Sequence, residues 1–165
     1  MRQLLLDLDG VMADMDGAYD HHFGYRLNRA VDEPPDIWDP VLAHYAKGRR
    51  FFYELPLMPD AMELWAGACR LHPAPAILTG VPHRLPQLAA QDKRDWVAKH
   101  FGPHVQVYTS LSKDKRTHGR PGDILVDDWP KYRHLWEEMG GIFVLHTSAA
   151  ASLAELETLL GTTAE

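Results

Sequence analysis

Asp7 and Asp9 stand two residues apart at the end of a short apolar run, Gln3–Leu8, and Gly10 follows them. Side chains alternate along an extended chain, so both carboxylates point to one face while Leu8 goes to the other. Converging carboxylates repel unless a cation lies between them or one holds a proton. Both conditions suit metal-assisted acid–base chemistry. A calcium loop is the ordinary alternative for DxDG. It fails for the second copy, Asp14-Met15-Asp16-Gly17, because an EF-hand register there puts Met12 first and Phe23 last, where oxygen ligands belong.

A second acidic pair, Asp127-Asp128, directly follows the apolar run Ile124–Val126. Alone it would read as a helix N-cap or a solvated turn, with Pro130 two residues on. Two such pairs at strand ends point to one shared site. Thr79 ends a third run, Ala76–Thr79, and with Gly80 it adds a hydroxyl and backbone N–H groups suited to an anion. A cation completes such a set. Lys113 and Lys115 both qualify from their place before the Asp127 strand, and Lys93, beside an expected helix start at Asp92, is a further candidate.

These residues need a scaffold that gathers strand ends. Five apolar runs, the three above together with Val105–Thr109 and Ile142–Leu145, alternate with helical stretches at Ala61–Leu71, Asp92–Phe101, Lys131–Met139 and Ser152–Leu160. The rhythm predicts an α/β fold, a doubly wound, Rossmann-like, five-stranded parallel sheet whose functional loops lie at the carboxyl ends of the strands. One stretch breaks it. Residues 14–56 show no parallel strand and hold eight of the sixteen aromatics: Tyr19, Phe23, Tyr25, Trp38, Tyr45, Phe51, Phe52 and Tyr53. We read 14–56 as a small helical cap inserted after the first strand, punctuated at Pro34 and Pro35, and 1–13 with 57–165 as the core. Most cap aromatics are expected to form the cap's own core.

Composition narrows the function classes. A length of 165 residues fits one domain with room for a small insertion. A net charge of −6 disfavours nucleic-acid polymers, yet a metal or one or two lysines can hold a single phosphate. Cys69 is the only cysteine, which suits a reducing cytoplasm. The opening MRQLLLDLDG is too short and too acidic for a signal peptide, and no stretch approaches a membrane span, so a soluble cytoplasmic protein is expected.

In order, DLDGV at 7–11, ILTG at 77–80, a lysine at 113 or 115 and ILVDD at 124–128 resemble the four motifs of the haloacid dehalogenase (HAD) superfamily. GVMAD at 10–14, FFYELPLMPDA at 51–61, KRDWVAKHFGP at 93–103 and ILVDDWP at 124–130 more narrowly resemble the 5′(3′)-deoxyribonucleotidases. The resemblance implies a magnesium-dependent phosphatase. In it Asp7 is the nucleophile and Asp9 the acid–base, while Thr79, Gly80, Lys115 (with Lys113 as substitute) and Lys93 bind phosphate. Magnesium is held by Asp7, the Asp9 carbonyl and Asp128, with Asp127 in the outer shell. Trp38, Phe51 and Phe52 are candidates to stack on a nucleobase. Met15 and His83 stand where the family has an aromatic and a lysine, and Gly80-Val81-Pro82 replaces its Ser-Pro. The expected substrate is a nucleoside monophosphate, with a sugar phosphate or other metabolite as alternative. A phosphate-sensing module without turnover would not need Asp9.

Overall fold

The computed structural model describes residues 1–27 and 35–161. Five strands, β1 (Leu4–Leu6), β2 (Ala76–Gly80), β3 (Val107–Ser110), β4 (Ile124–Asp127) and β5 (Ile142–Leu145), form one sheet in the order β3-β2-β1-β4-β5. Every pairing is parallel, which accords with the expected doubly wound architecture. The strands are apolar on both faces because helices cover both. Leu4, Leu6, Ile77, Ile124 and Val126 belong to the larger apolar cluster, and Leu5, Leu78, Leu125 and Phe143 close a smaller one around Trp136. From the central β1 the chain winds outward through β2 and β3, then returns to lay β4 on the other side of β1. That reversal opens a crevice at the carboxyl ends of β1 and β4.

The helices follow from local signals with one correction. Helix α3 (Ala61–Leu71) has the expected bounds, and α6 (Ala149–Leu160) begins three residues early, where the Ser148 hydroxyl accepts from the Ala151 N–H. A 3-10 turn at Pro130–Tyr132 leads into α5 (Arg133–Glu138). Helix α4 was expected to start at Asp92, but it runs Pro86–Phe101. Pro86 is its N1 residue, and Asp92 lies inside it, buried and bonded to Tyr45 and Arg50. An aspartate that resembles a cap is here a tertiary partner.

After β1 the chain turns within Leu8–Ala13, where the amides of Val11, Met12 and Ala13 all donate to Leu8 O. Helix α1 (Met15–Phe23) is capped by Asp14, and α2 (Trp38–Ala46) follows a 3-10 turn at Pro35–Ile37. The punctuation expected at Pro34 lies outside the described residues. Exit and return lie side by side: Asp14 N donates to Pro56 O at 2.9 Å and Met58 N to Met12 O at 2.8 Å. The aromatics of this segment pack on one another, and that packing is continuous with the main core. Tyr19, Phe51 and Phe52 join the cluster that contains β1 and α4, because the return segment lies directly on α4. Trp96 of α4, 1% exposed, donates its indole N–H to Leu55 O at 2.8 Å. Trp96→Ala removes a buried ring and orphans that carbonyl, so chemical denaturation should show a loss of about 3–5 kcal/mol.

Candidate active site

Asp7 is the first residue past β1, and its N–H donates to Val126 O at 2.9 Å, which seats it against β4. Asp127 ends β4. Lys115, from the 3-10 turn Ser112–His118, reaches between them, with Nζ 3.0 Å from Asp7 Oδ1 and 2.7 Å from Asp127 Oδ2. All three are buried. Asp127 Oδ1 accepts from the Trp129 N–H at 2.9 Å, so both its oxygens are engaged. Lys113, the other lysine candidate, is exposed.

A second lysine organises Asp9. Lys93 is 2% exposed and projects from the second turn of α4, not from a helix start. Its Nζ donates to Asp9 Oδ2 at 2.7 Å, Gly80 O at 2.7 Å and Thr79 Oγ1 at 3.1 Å. An ammonium has three protons, and these acceptors use all of them. Thr79, expected to meet an anion directly, is fully buried with its hydroxyl against Lys93. It reaches the site through that lysine.

Asp7, Asp9, Lys93, Lys115 and Asp127 form the polar floor of a pocket, with Gly80 and Ser112 beside them. Its walls are Met15, Trp38 and Phe52 from the segment after β1 and Val81, Pro82 and Trp129 from the loops after β2 and β4. Two substrate candidates fall elsewhere. Phe51 packs against Tyr19, Phe23 and His44, and His83 is exposed and does not line the pocket. Phe51 and Phe52 are neighbours whose side chains diverge, and His83, placed by resemblance to a lysine position, points to solvent. The readings missed Trp129 and Ser112. The signal for Trp129 was its place directly after the acidic strand end, which the sheet topology puts at the crevice.

The family model described as "5' nucleotidase, deoxy (Pyrimidine), cytosolic type C protein" matches residues 2–151. The chain belongs to this family. Two curated relatives, the mitochondrial 5'(3')-deoxyribonucleotidases of Mus musculus and Homo sapiens, are 28% and 27% identical over 144 residues. Each alignment covers 78% of this chain but 64% and 62% of the relatives, so the chain spans less than two thirds of their length. A solved HAD family hydrolase from Deinococcus radiodurans R1, with bound phosphate and sodium, covers 94% of this chain and 88% of its own at 13% identity, with a TM-score of 0.43. Among the described residues no helix is long and apolar enough to cross a membrane.

The family's site implies a divalent metal, and the donors present fit one. Asp7, Asp127 and Asp128 each offer a carboxylate oxygen within 4.8 Å of the others, a hard oxygen set of the kind magnesium takes. Asp9 Oδ1 is buried without a hydrogen-bond partner. Lys93 pairs with Asp9, and Lys115 is shared by Asp7 and Asp127, so a dication would add positive charge beside these carboxylates. Gly10, at φ +79°, keeps the approach open, since a Cβ there would lie 2.0 Å from Asp128 Oδ2.

The burial of Asp7 has a consequence for pH. Burial pushes the Asp7 carboxyl from 3.8 up to about 7; Lys115 pulls it back, Asp127 and Asp9 push it further, and Lys93 opposes them. For Lys115, burial works downward, but Asp127 and Asp7 outweigh it and hold its ammonium well above the usual range. A carboxyl raised in the folded state favours folding below its unfolded value of 3.8, and that contribution is lost as the pH climbs to about 7. Metal-free protein should therefore lose stability relative to Asp7→Asn between those values, on the order of a few kcal/mol. Urea titrations of both proteins in chelator at several pH values measure it. A difference independent of pH would contradict the assignment.

Proposed function

We propose that this chain is a magnesium-dependent phosphomonoesterase that releases phosphate from nucleoside monophosphates, deoxynucleotides in particular, through an aspartyl-phosphate intermediate. The observation that carries this reading is the pairing of two differently held carboxylates at one crevice. Asp7 is aligned by Lys115, and Asp9, two residues on, is aligned by Lys93. Family membership and the names of the curated relatives support the nucleotide substrate.

In this mechanism a carboxylate oxygen of Asp7 attacks phosphorus while the bond to the leaving oxygen breaks, and Asp9 gives that oxygen a proton. A water then attacks the acyl phosphate, Asp9 takes its proton, and phosphate departs as Asp7 is regenerated. Lys115 offsets charge on the phosphoryl oxygens. Thr79 acts by holding Lys93. Magnesium, held by Asp7, the Asp9 carbonyl and Asp128, would supply the charge that offsets carboxylate repulsion and polarises a phosphoryl oxygen. Asp128 suits direct ligation better than Asp127, whose two oxygens are committed to Lys115 and Trp129. Residues 14–56 act as a cap whose Trp38 and Phe52 offer ring faces to a base, each such contact worth roughly 1–3 kcal/mol by analogy with single-strand binders.

The test is kcat/KM for thymidine, deoxyuridine and deoxyguanosine monophosphates against a panel of sugar phosphates, with magnesium and with chelator. Nucleotides should win, chelation should abolish turnover, and Trp38→Ala should selectively lower nucleotide turnover about tenfold or more. Asp7→Asn should remove turnover. Asp9→Asn should lose roughly 10² to 10⁴, less for leaving groups such as nitrophenolate that need no proton. Full activity in chelator would overturn the mechanism, and preference for sugar phosphates would overturn the substrate.

A further inference from the structure

We infer that Asp92 is a positioning residue that sets the Lys93 ammonium over Asp9 and makes that placement depend on how the cap is seated. The inference rests on the reading of the pocket as a phosphoryl-transfer site. Asp92 and Lys93 are neighbours on α4 and diverge as consecutive helical residues do, one toward the cap's return segment and one toward the floor of the pocket.

The Asp92 carboxylate is 4% exposed, and two cap residues meet it. Tyr45 Oη donates to Oδ2, and Arg50 Nε donates to Oδ1 at 2.8 Å. One turn on, Asp95 Oδ2 takes Arg50 Nη2 at 2.5 Å, and the guanidinium lies 4.2 Å from the centre of the Tyr53 ring. Burial and the Asp92 carboxylate push the Tyr45 phenol up, so it remains a donor. Phe52 lies two residues beyond Arg50 on the same return segment. Phe52 closes the circuit, because its ring walls the pocket and stands 4.9 Å from Lys93 Nζ. One buried carboxylate thus ties the pocket's aromatic wall to the helix that carries its lysine.

Lys93 needs such support. Its side chain is long and flexible, yet its Nζ satisfies three acceptors at once, which requires its backbone to be held to within a fraction of an ångström. A residue packed only by apolar contacts on one helix face has more freedom to slide. The charged hydrogen bonds of Arg50 fix the register of α4 against the return segment directionally.

The experiment reads Lys93 itself. Wild type, Asp92→Asn and Tyr45→Phe are exposed briefly to acetic anhydride, and acetylation at Lys93 and Lys115 is mapped by mass spectrometry. Both lysines are buried in the wild type, so both should react slowly. The two variants should acetylate Lys93 about tenfold faster while Lys115 stays protected, and kcat should fall about tenfold with KM changed less than about twofold. Asp92→Glu, which keeps the charge, should recover part of the rate. Unchanged protection of Lys93 in both variants, or equal deprotection of Lys93 and Lys115 in both, would overturn the inference. A wild type without turnover would sink the proposed function alone, and acetylation would still decide this one.

Discussion

The structure depends on one arrangement, the Lys115 ammonium buried between the carboxylates of Asp7 and Asp127. Two like charges desolvated at adjacent strand ends would force β1 and β4 apart or force protonation. An ammonium with both carboxylates within hydrogen-bond reach makes their approach tolerable. The compensation is incomplete, since one ammonium serves two carboxylates. A buried cluster with more carboxylate than ammonium is unsuited to stability, and its oxygens are of the kind a hard cation takes.

The sheet creates the conditions for that arrangement. In a doubly wound topology the two strands that flank the reversal diverge in their connections, which leaves their carboxyl ends uncovered. Asp7 and Asp127 occupy those ends, and Thr79 and Gly80 occupy the equivalent end of β2. Apolar strands buried on both faces keep these ends in fixed register: Leu6 pairs with Ile77 on one side and with Val126 on the other. The rigid element is the sheet, and the polar groups project from its rim.

Two lysines divide the work by origin. Lys115 arrives from a short 3-10 turn just before β4 and serves the strand ends. Lys93 arrives from a long helix packed under the segment that returns to the sheet near Leu55, and serves Asp9, the residue that must handle protons in the proposed reaction. The second lysine thus sits on a helix that also contacts residues 45–55, through Tyr45, Arg50 and Leu55.

Much of this was legible in the sequence. Short apolar runs that end in Asp, Thr-Gly and Asp-Asp report strand ends directly, because buried parallel strands are apolar throughout and stop where polarity begins. All five strands are legible this way, and so is the placing of Asp7, Asp9, Thr79 and Asp127 at or just past strand ends. What the sequence left open depends on which way a side chain leaves its element and what meets it there. Periodicity could not tell that Asp92 is the partner of Tyr45 and Arg50 and not a helix cap, since both roles ask for a carboxylate among helix formers. It could not separate Phe52, on the pocket wall, from Phe51 beside it, packed against Tyr19 and Phe23. Lys113 and Lys115 are chemically alike in the chain, and only folding buries one and exposes the other. Local pattern determines element type and the groups at element ends; the choice among like residues is made by tertiary packing, where burial and partners at distant positions decide.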